Sequence, residues 1–387
     1  MNILEEIQNC PVEWKVLKDV AILKNGKDWK TLPSGEVPVY GSGGEMGEFV
    51  SDYSYDKPTV LIPRKGSISN LFYIEKAFWN VDTIYYTEID ENQIIPKYFY
   101  YYLTSVKLEE MATNPTRPSL TQAILDKVKI PIPSLEIQEK IVEKLDKMTE
   151  YVTELTSELT SRKKQYSFYR DKLLSFEDEV YQVEWKTLDA VSERTSNISW
   201  NKVGDDEKLK YIDLSSVDRV SNKITETTSI TKSTAPSRAQ KIVKSNDIIL
   251  GTTRPTLKRF TKITDDYNDQ ICSTGFYVFR TNGEVLPNYV YHIFSSSDFY
   301  KYLEENQSGA SYPAISDALV KKYKIPVPSL EIQSRIVQVL DNFDMVCNDL
   351  NIGLPKEIEL RQKQYEYFRE KLLTFVAEGE YTESRVE

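Results

Sequence analysis

The sequence predicts two mixed α/β (α+β) globules joined by two long helices that form an antiparallel coiled coil, all produced by internal duplication. Three observations predict it. The nonapeptide IPIPSLEIQ at 130–138 returns at 325–333 as IPVPSLEIQ, one Ile→Val change apart. Two further blocks recur in the same order: VEWKVLKDVA (12–21) as VEWKTLDAVS (183–192), and RKKQYSFYRDKLLSF (162–176) as RQKQYEYFREKLLTF (361–375). After each nonapeptide, apolar residues recur alternately four and three apart, the spacing of a coiled-coil seam.

The duplicated unit runs from 12 to 176 and again from 183 to 375. Its constant blocks flank two stretches, Trp14 to Lys129 and the longer Trp185 to Lys324, that show no clear alignment. Constant frames suggest a common mounting, and divergent inserts suggest two different targets. These blocks set the boundaries: a globule over 1–133, a long helix over 134–177, a second globule over 178–328, and a second long helix with the C-terminal tail over 329–387.

The frame explains its own residues. Pro131 and Pro133 cannot donate backbone hydrogen bonds and bias their predecessors toward extended backbone. Ser134 is a good N-cap, and Glu136 and Ile137 open a helix. The seam then runs from Ile141 and Leu145 to Leu173 and Phe176, with one polar interruption at Arg162. A helix over 135–176 is about 60 Å long at about 1.5 Å per residue. One seam needs a partner in water, and the second copy offers it from Ile336 to Phe375. Four additional residues enter there as a stutter, and Gly353 and Pro355 in NIGLPKEIE are placed to break or kink it, the glycine at a C′ position and the proline in a first turn. A single stripe would equally suit the core of a helical bundle. Two in duplicated positions favour pairing with each other.

Both inserts contain short β-like runs, such as TVLIPRKGSISNLFYI and ICSTGFYVFRTN. Each closes in a helical, aromatic-rich segment and a polar loop, NPTRPSLT or QSGASYPAIS. VYGSGGEMGEF at 39–49 has the glycine spacing of a phosphate cradle. The next residues, FVSDYSYDKPTVLIP, read as loop and strand rather than helix, and no P-loop lysine is present. A turn or flexible binding loop is the better reading. A nucleotide-using enzyme centred on Gly41–Gly47 stands as one alternative, and a coiled-coil adaptor with protein-binding inserts as another.

Composition narrows the chemistry. The net charge is −10, and the 387 residues include one histidine, His292, and three cysteines, Cys10, Cys272 and Cys347. A Ser–His–Asp triad or a two-histidine zinc site would have to use His292 or do without it. His292 lies in NYVYHIFSSSDFY, where a packed or surface role is expected. The cysteines have neither metal nor disulfide spacing, which fits a reducing cytoplasm, and no apolar run is long enough to span a membrane. Against the acidic total, 232–262 carries eight basic residues and only Asp247 as an acid. The first insert has a milder counterpart in Lys57, Arg64, Lys65 and Lys76. Arginine among Ser, Thr and Asn on loops is the chemistry of DNA groove and phosphate contacts, though a solvated basic face has the same composition.

The two KIP(I/V)PSLEIQ junctions, the long helices ending in KQY…KLL, and the variable segments opening after VEWK resemble the specificity (S) subunits of type I restriction–modification systems. The resemblance covers nearly the whole chain. It implies a non-catalytic DNA-recognition scaffold whose globules are target recognition domains, each reading half of a bipartite double-stranded site. It implies that the helices set the spacer and dock methyltransferase subunits, two of them, which restriction subunits join. S-adenosylmethionine, ATP and magnesium would belong to those partners, with no cofactor or metal in this chain and no membrane partner. The chain has neither a methyltransferase (D/N)PP(Y/F) motif nor a P-loop, which suits that role.

Loop chemistry then selects the candidate DNA contacts: Gly43, Arg64, Lys65, Ser67, Asn70 and Arg117 in the first globule. In the second it selects Arg238, Lys241, Thr253, Arg254, Lys258, Arg259, Ser311 and Tyr312. The constant blocks offer Ile137, Ile141, Tyr166, Ile332, Ile336 and Tyr365 for partner docking.

Overall fold

A computed structural model describes residues 3–113, 118–176 and 183–375. The chain divides into two compact units, Met1–Glu154 with Glu359–Glu387, and Leu155–Ile358. Each unit therefore draws helical sequence from both copies of the duplication.

The repeated blocks pair with one another. Strand Glu13–Val16 runs antiparallel to Lys129–Ile132 with Trp14 opposite Pro131. Strand Glu184–Thr187 repeats this against Lys324–Val327 with Trp185 opposite Pro326. A two-stranded ribbon has free edges, so its prolines cost no ladder bond. Their carbonyls are used instead: Tyr98 and Tyr289 hydroxyls donate to Pro131 and Pro326 oxygens at 2.9 and 3.0 Å. Ser329 accepts from the Ile332 N–H as an N-cap, and the Ile137 N–H approaches Ser134 Oγ at 3.4 Å. The last residue of the nonapeptide is the joint. Gln138 Oε1 accepts from the Ile95 N–H at 2.8 Å, while its amide donates to the Gln93 and Pro133 carbonyls. Gln333 repeats the three bonds with Leu286, Glu284 and Pro328.

The inserts share a topology that their sequences conceal. In unit 1 a four-stranded sheet orders Ala21–Asn25, Ile84–Ile89, Thr59–Pro63 and Phe72–Ile74, beside a three-stranded sheet of Gly44–Val50, Ser34–Gly41 and Trp79–Asn80. In unit 2, Ile248–Gly251 lies between Phe260–Lys262 and Phe276–Phe279 as Thr59–Pro63 lies between its neighbours. Leu209–Ile212 runs parallel to Gln270–Ser273 as Ser34–Gly41 does to Trp79–Asn80. The longer second insert adds strand Ala239–Val243 on the edge of that sheet. Gly41 and Gly44 face each other across a two-residue hairpin turn. Gly44 and Gly47 have φ of +106° and +74°, which glycine adopts freely. A strand, not a helix, comes after this turn, so Gly41–Gly47 lacks the strand–turn–helix setting of a phosphate cradle.

Helix Leu135–Ser175 is continuous over 41 residues. The second copy is broken into Leu330–Asn348 and Leu354–Leu373. Gly353 stands at the break but not as a C′ residue: its carbonyl accepts from Lys356 and Glu357 N–H groups and so opens the second helix. A Cβ there would lie 2.5 Å from the Met345 carbonyl, so close backbone approach is what requires glycine. Pro355 sits in the first turn, as its sequence position suggests.

Helix pairing is visible inside each unit. In unit 1 Lys144 Nζ lies 5.7 Å from the Phe368 ring centroid, while Met148 and Tyr151 adjoin Arg361 and Gln364. In unit 2 Tyr166 and Tyr169 stack on Phe343, and Arg162 and Glu158 adjoin Val346 and Leu354. In both units residue numbers rise along one helix and fall along its neighbour. Each KQY…KLL block packs on the globule of the other copy: Leu372 and Leu373 enter the first core, and Tyr166 and Leu174 the second.

This packing corrects the docking assignment. Ile137, Ile141, Ile336 and Tyr166 are buried in the chain's own cores, and Ile332 and Tyr365 pack against them. Seam spacing marks a residue as apolar without saying whose surface it meets.

His292 is a packed residue. Its Nδ1 lies 3.2 Å from the Tyr166 hydroxyl and its Nε2 2.7 Å from Asp341 Oδ1. Asn288 donates to the other Asp341 oxygen, and in unit 1 Asp146 receives Lys97 and Tyr101 in the same places. Burial raises the Asp341 pKa, but the bonds from His292 and Asn288 outweigh it and hold the carboxyl below its ordinary range. A depressed folded pKa stabilises above the unfolded pKa, and that stability is lost as pH falls through the folded value. Because the Asp341 side chain is 44% exposed, solvent screening limits the contribution to about 1 kcal/mol. Asp341→Asn is expected to cost unit 2 that amount at neutral pH and nothing near pH ~2 in urea titrations. An equal deficit at both pH values would contradict the assignment.

Candidate nucleic-acid interface

In unit 1 three loops converge at one end of the sheets. Gly43 is exposed in the hairpin turn, and the Ser42 N–H donates to Thr83 Oγ1 at 3.3 Å. The loop after Thr59–Pro63 meets this turn, for a Cβ on Gly66 would lie 3.2 Å from Ser42 Oγ. The Arg64 N–H donates to the Thr83 carbonyl, and the Arg64 carbonyl accepts from the Leu120 N–H at 2.9 Å. Lys65 bridges to Ser119, which bridges to Thr113. Lys65, Ser67 and Asn70 are exposed. Arg64 is half-buried, donating to Asn25 Oδ1 at 3.2 Å with its guanidinium 5.2 Å from the Tyr85 ring centroid. Arg117 lies outside the described residues.

Unit 2 builds the same clamp from other residues. Thr253 bridges to Ala314, which bridges to Ser308, and the Ile315 N–H donates to the Thr252 carbonyl at 2.9 Å. Lys65, Ser119 and Thr113 thus correspond to Thr253, Ala314 and Ser308. Exposed Ser311 and Tyr312 lie in the 308–314 loop. The Arg254 guanidinium carbon stands 4.5 Å from the Tyr312 ring centroid, and Lys258 Nζ stands 4.1 Å from that of Tyr300. Arg259 is half-buried, and its Nε has no hydrogen-bond partner among the described residues. Arg238 is exposed beside this end, because its carbonyl accepts from the Thr274 N–H and Gly275 in turn accepts from Thr252.

The rest of the basic segment does not gather here. Lys241 turns inward, its ammonium bonded to Asp317 at 2.8 Å and to the Phe276 carbonyl, which removes it as a ready DNA contact. Lys232 pairs with Asp205 and Lys262 donates to Asn288. Asn25, Tyr85 and Tyr300, which hold the basic side chains, carried no local sequence signal. Their partners are distant in the chain. What each cluster presents is cations, hydroxyls, amides and aromatic faces on loops, a set suited to phosphates and base edges.

The model of the type I restriction modification DNA specificity domain matches residues 11–162 and again 182–360. A similar protein is the Escherichia coli type I restriction enzyme EcoR124I/EcoR124II specificity subunit, 33% identical over 306 residues, 75% of this chain and 73% of that one. Another is a putative type I restriction enzyme specificity subunit of Haemophilus influenzae, 31% identical over 393 residues, 95% of this chain and 97% of that one. Among solved structures, an S subunit of a type I restriction–modification system from M. genitalium has a TM-score of 0.60 over 95% of this chain and 98% of that one. At 17% identity this last likeness shows the fold alone.

Proposed function

Because this chain belongs to the type I restriction–modification DNA specificity family, we propose that it is the non-catalytic sequence-reading subunit of such a complex, each globule reading one half of a bipartite duplex site. The observation that carries this reading is the clamp built twice, Lys65–Ser119–Thr113 and Thr253–Ala314–Ser308, with unlike side chains on one backbone plan. A protein that read one target twice would have no use for the divergence. One that read two targets would keep the mounting and change the loops.

The paired helices act as an antiparallel coiled-coil spacer that sets the gap between half-sites. Methyltransferase subunits, two of them, dock on the constant regions, and restriction subunits join in the cytoplasm. S-adenosylmethionine, ATP and magnesium belong to those partners. With Ile137, Ile141, Tyr166 and Ile336 buried in the chain's own cores, docking falls to constant-region side chains that face out. Phe168 and Tyr367, which occupy matching places in the two copies, are 62% and 54% exposed. The −10 net charge suits DNA binding that is shared with partner surfaces.

Co-expression with its methyltransferase subunit and long-read mapping of modified adenines tests the reading. The expected result is one motif of two short fixed blocks separated by unspecified bases. A single contiguous motif, or none, would overturn it.

A further inference from the structure

We propose, resting on that reading, that Arg254 is a specificity-determining residue that reads a guanine in the half-site of unit 2, presented for that purpose by Tyr312. Arg254 has φ 49° and ψ 58°, in the left-handed region. An L-residue with a side chain is strained there, and glycine is the ordinary occupant. Unit 1 supplies the comparison. By the matched bridges, Lys65 corresponds to Thr253, so the next residue, Gly66, corresponds to Arg254. Gly66 has φ +80°. The loop plan therefore calls for a left-handed residue at this point. One copy fills it with glycine, while the other places arginine there despite the strain.

The Arg254 backbone is fixed by its N–H, which donates to the Pro313 carbonyl at 2.6 Å. No described residue takes a hydrogen bond or ion pair from its guanidinium, which has only the Tyr312 face, itself 72% exposed. Backbone bonds to Pro313 and Leu257 hold the strained turn, but the side chain gains no polar partner among the described residues, which points to one in the complex. Strained backbone kept at an exposed loop is a mark of such sites. Four residues on, Lys258 repeats the arrangement with φ 53° over Tyr300, across the single turn Pro255–Leu257.

The chemistry points to guanine. A guanidinium carried over a tyrosine face, as Arg254 is over Tyr312, keeps its edge N–H groups free for a partner. A phosphate needs only a positive charge and would be met as well by a mobile lysine. A planar fork is matched by two coplanar acceptors, the O6 and N7 of guanine in the major groove. Preorganisation lowers the entropy lost on contact.

The test is Arg254→Gly in the complete methyltransferase complex. The variant is expected to melt at or above the wild-type temperature, because glycine relieves the strain. It should lose about 10- to 100-fold discrimination at one G·C pair of one half-site, with the other half unchanged. The mapped motif would become degenerate at that single position. Arg254→Lys should lose part of that discrimination at the same position, since an ammonium keeps donors for O6 and N7 but lacks the rigid planar fork, and it serves as the test if the glycine variant proves unstable. An unchanged motif overturns the proposal. So does uniform weakening on all duplexes with a shallower salt dependence, the mark of a phosphate contact. Failure of the underlying DNA-reading function would appear differently, as a wild-type complex that methylates no bipartite motif.

Discussion

Gln138→Ala is expected to destabilise unit 1 by about 3 kcal/mol or more. Gln138 is wholly buried and satisfies one backbone donor and two backbone acceptors, on Ile95, Gln93 and Pro133. Truncation takes the partner from all three groups, the Pro133 carbonyl in a buried place and the Ile95 N–H and Gln93 carbonyl in part-buried ones, each at about 1–3 kcal/mol. For a body of this size the melting temperature should fall by about 6–12 °C. Gln138→Glu separates shape from hydrogen bonding. Its carboxylate can still accept from the Ile95 N–H, but it sets a negative charge against two carbonyl oxygens. It should therefore be as damaging as alanine at neutral pH and recover part of the loss on acidification, when the protonated acid can donate once. Melting of Gln138→Ala within a degree or so of wild type would remove the joint from the account. Gln333→Ala, with the same three bonds, should do the same to unit 2.

That joint shows how far the sequence could be read. The duplication, the strand-to-helix exit at IPIPS and the place of the helix break were legible, because each is a local pattern with a local cause. That VEWK pairs with IP(I/V)P was not. Its register is fixed by backbone bonds between residues far apart in the chain, and nothing in either block names the other. The shared topology of the inserts was hidden for a related reason. The clamps are made by main-chain bridges, so Lys65 could become Thr253 and Ser119 become Ala314 without changing the plan. Charge counting found the loop that holds Arg254 and Lys258 but could not see Lys241 turned onto Asp317, because a count has no direction. The constant blocks likewise offered six apolar residues for docking, four of which, Ile137, Ile141, Tyr166 and Ile336, are buried in the chain's own cores. The heptad pattern records that a face is covered, and the covering here is the chain's own globules.

Four residues added to helix Leu135–Ser175, with four matched in Leu354–Leu373, are expected to widen the gap in the methylated motif by one or two base pairs. Both half-site sequences should stay as they were. Residues 153–160 read TELTSELT, so a further SELT after Thr160 continues the existing pattern. The threonines there are exposed and bond back into their own helix, Thr153 to the Thr149 carbonyl and Thr160 to that of Thr156, both at 2.9 Å. Four residues lengthen a helix by about 6 Å and turn it by only about 40° beyond a full revolution. Against about 3.4 Å per base pair, and with a helix inclined to the duplex, that is one or two steps. Two residues are the sharper trial. They lengthen the helix by about 3 Å but rotate the distal part of the rod by about 200°, which would turn one reader away from the duplex and abolish methylation. A flexible tether would tolerate both insertions, and a rod that played no part in spacing would leave the gap unchanged. Only a rigid spacer makes the shorter insertion the more damaging one.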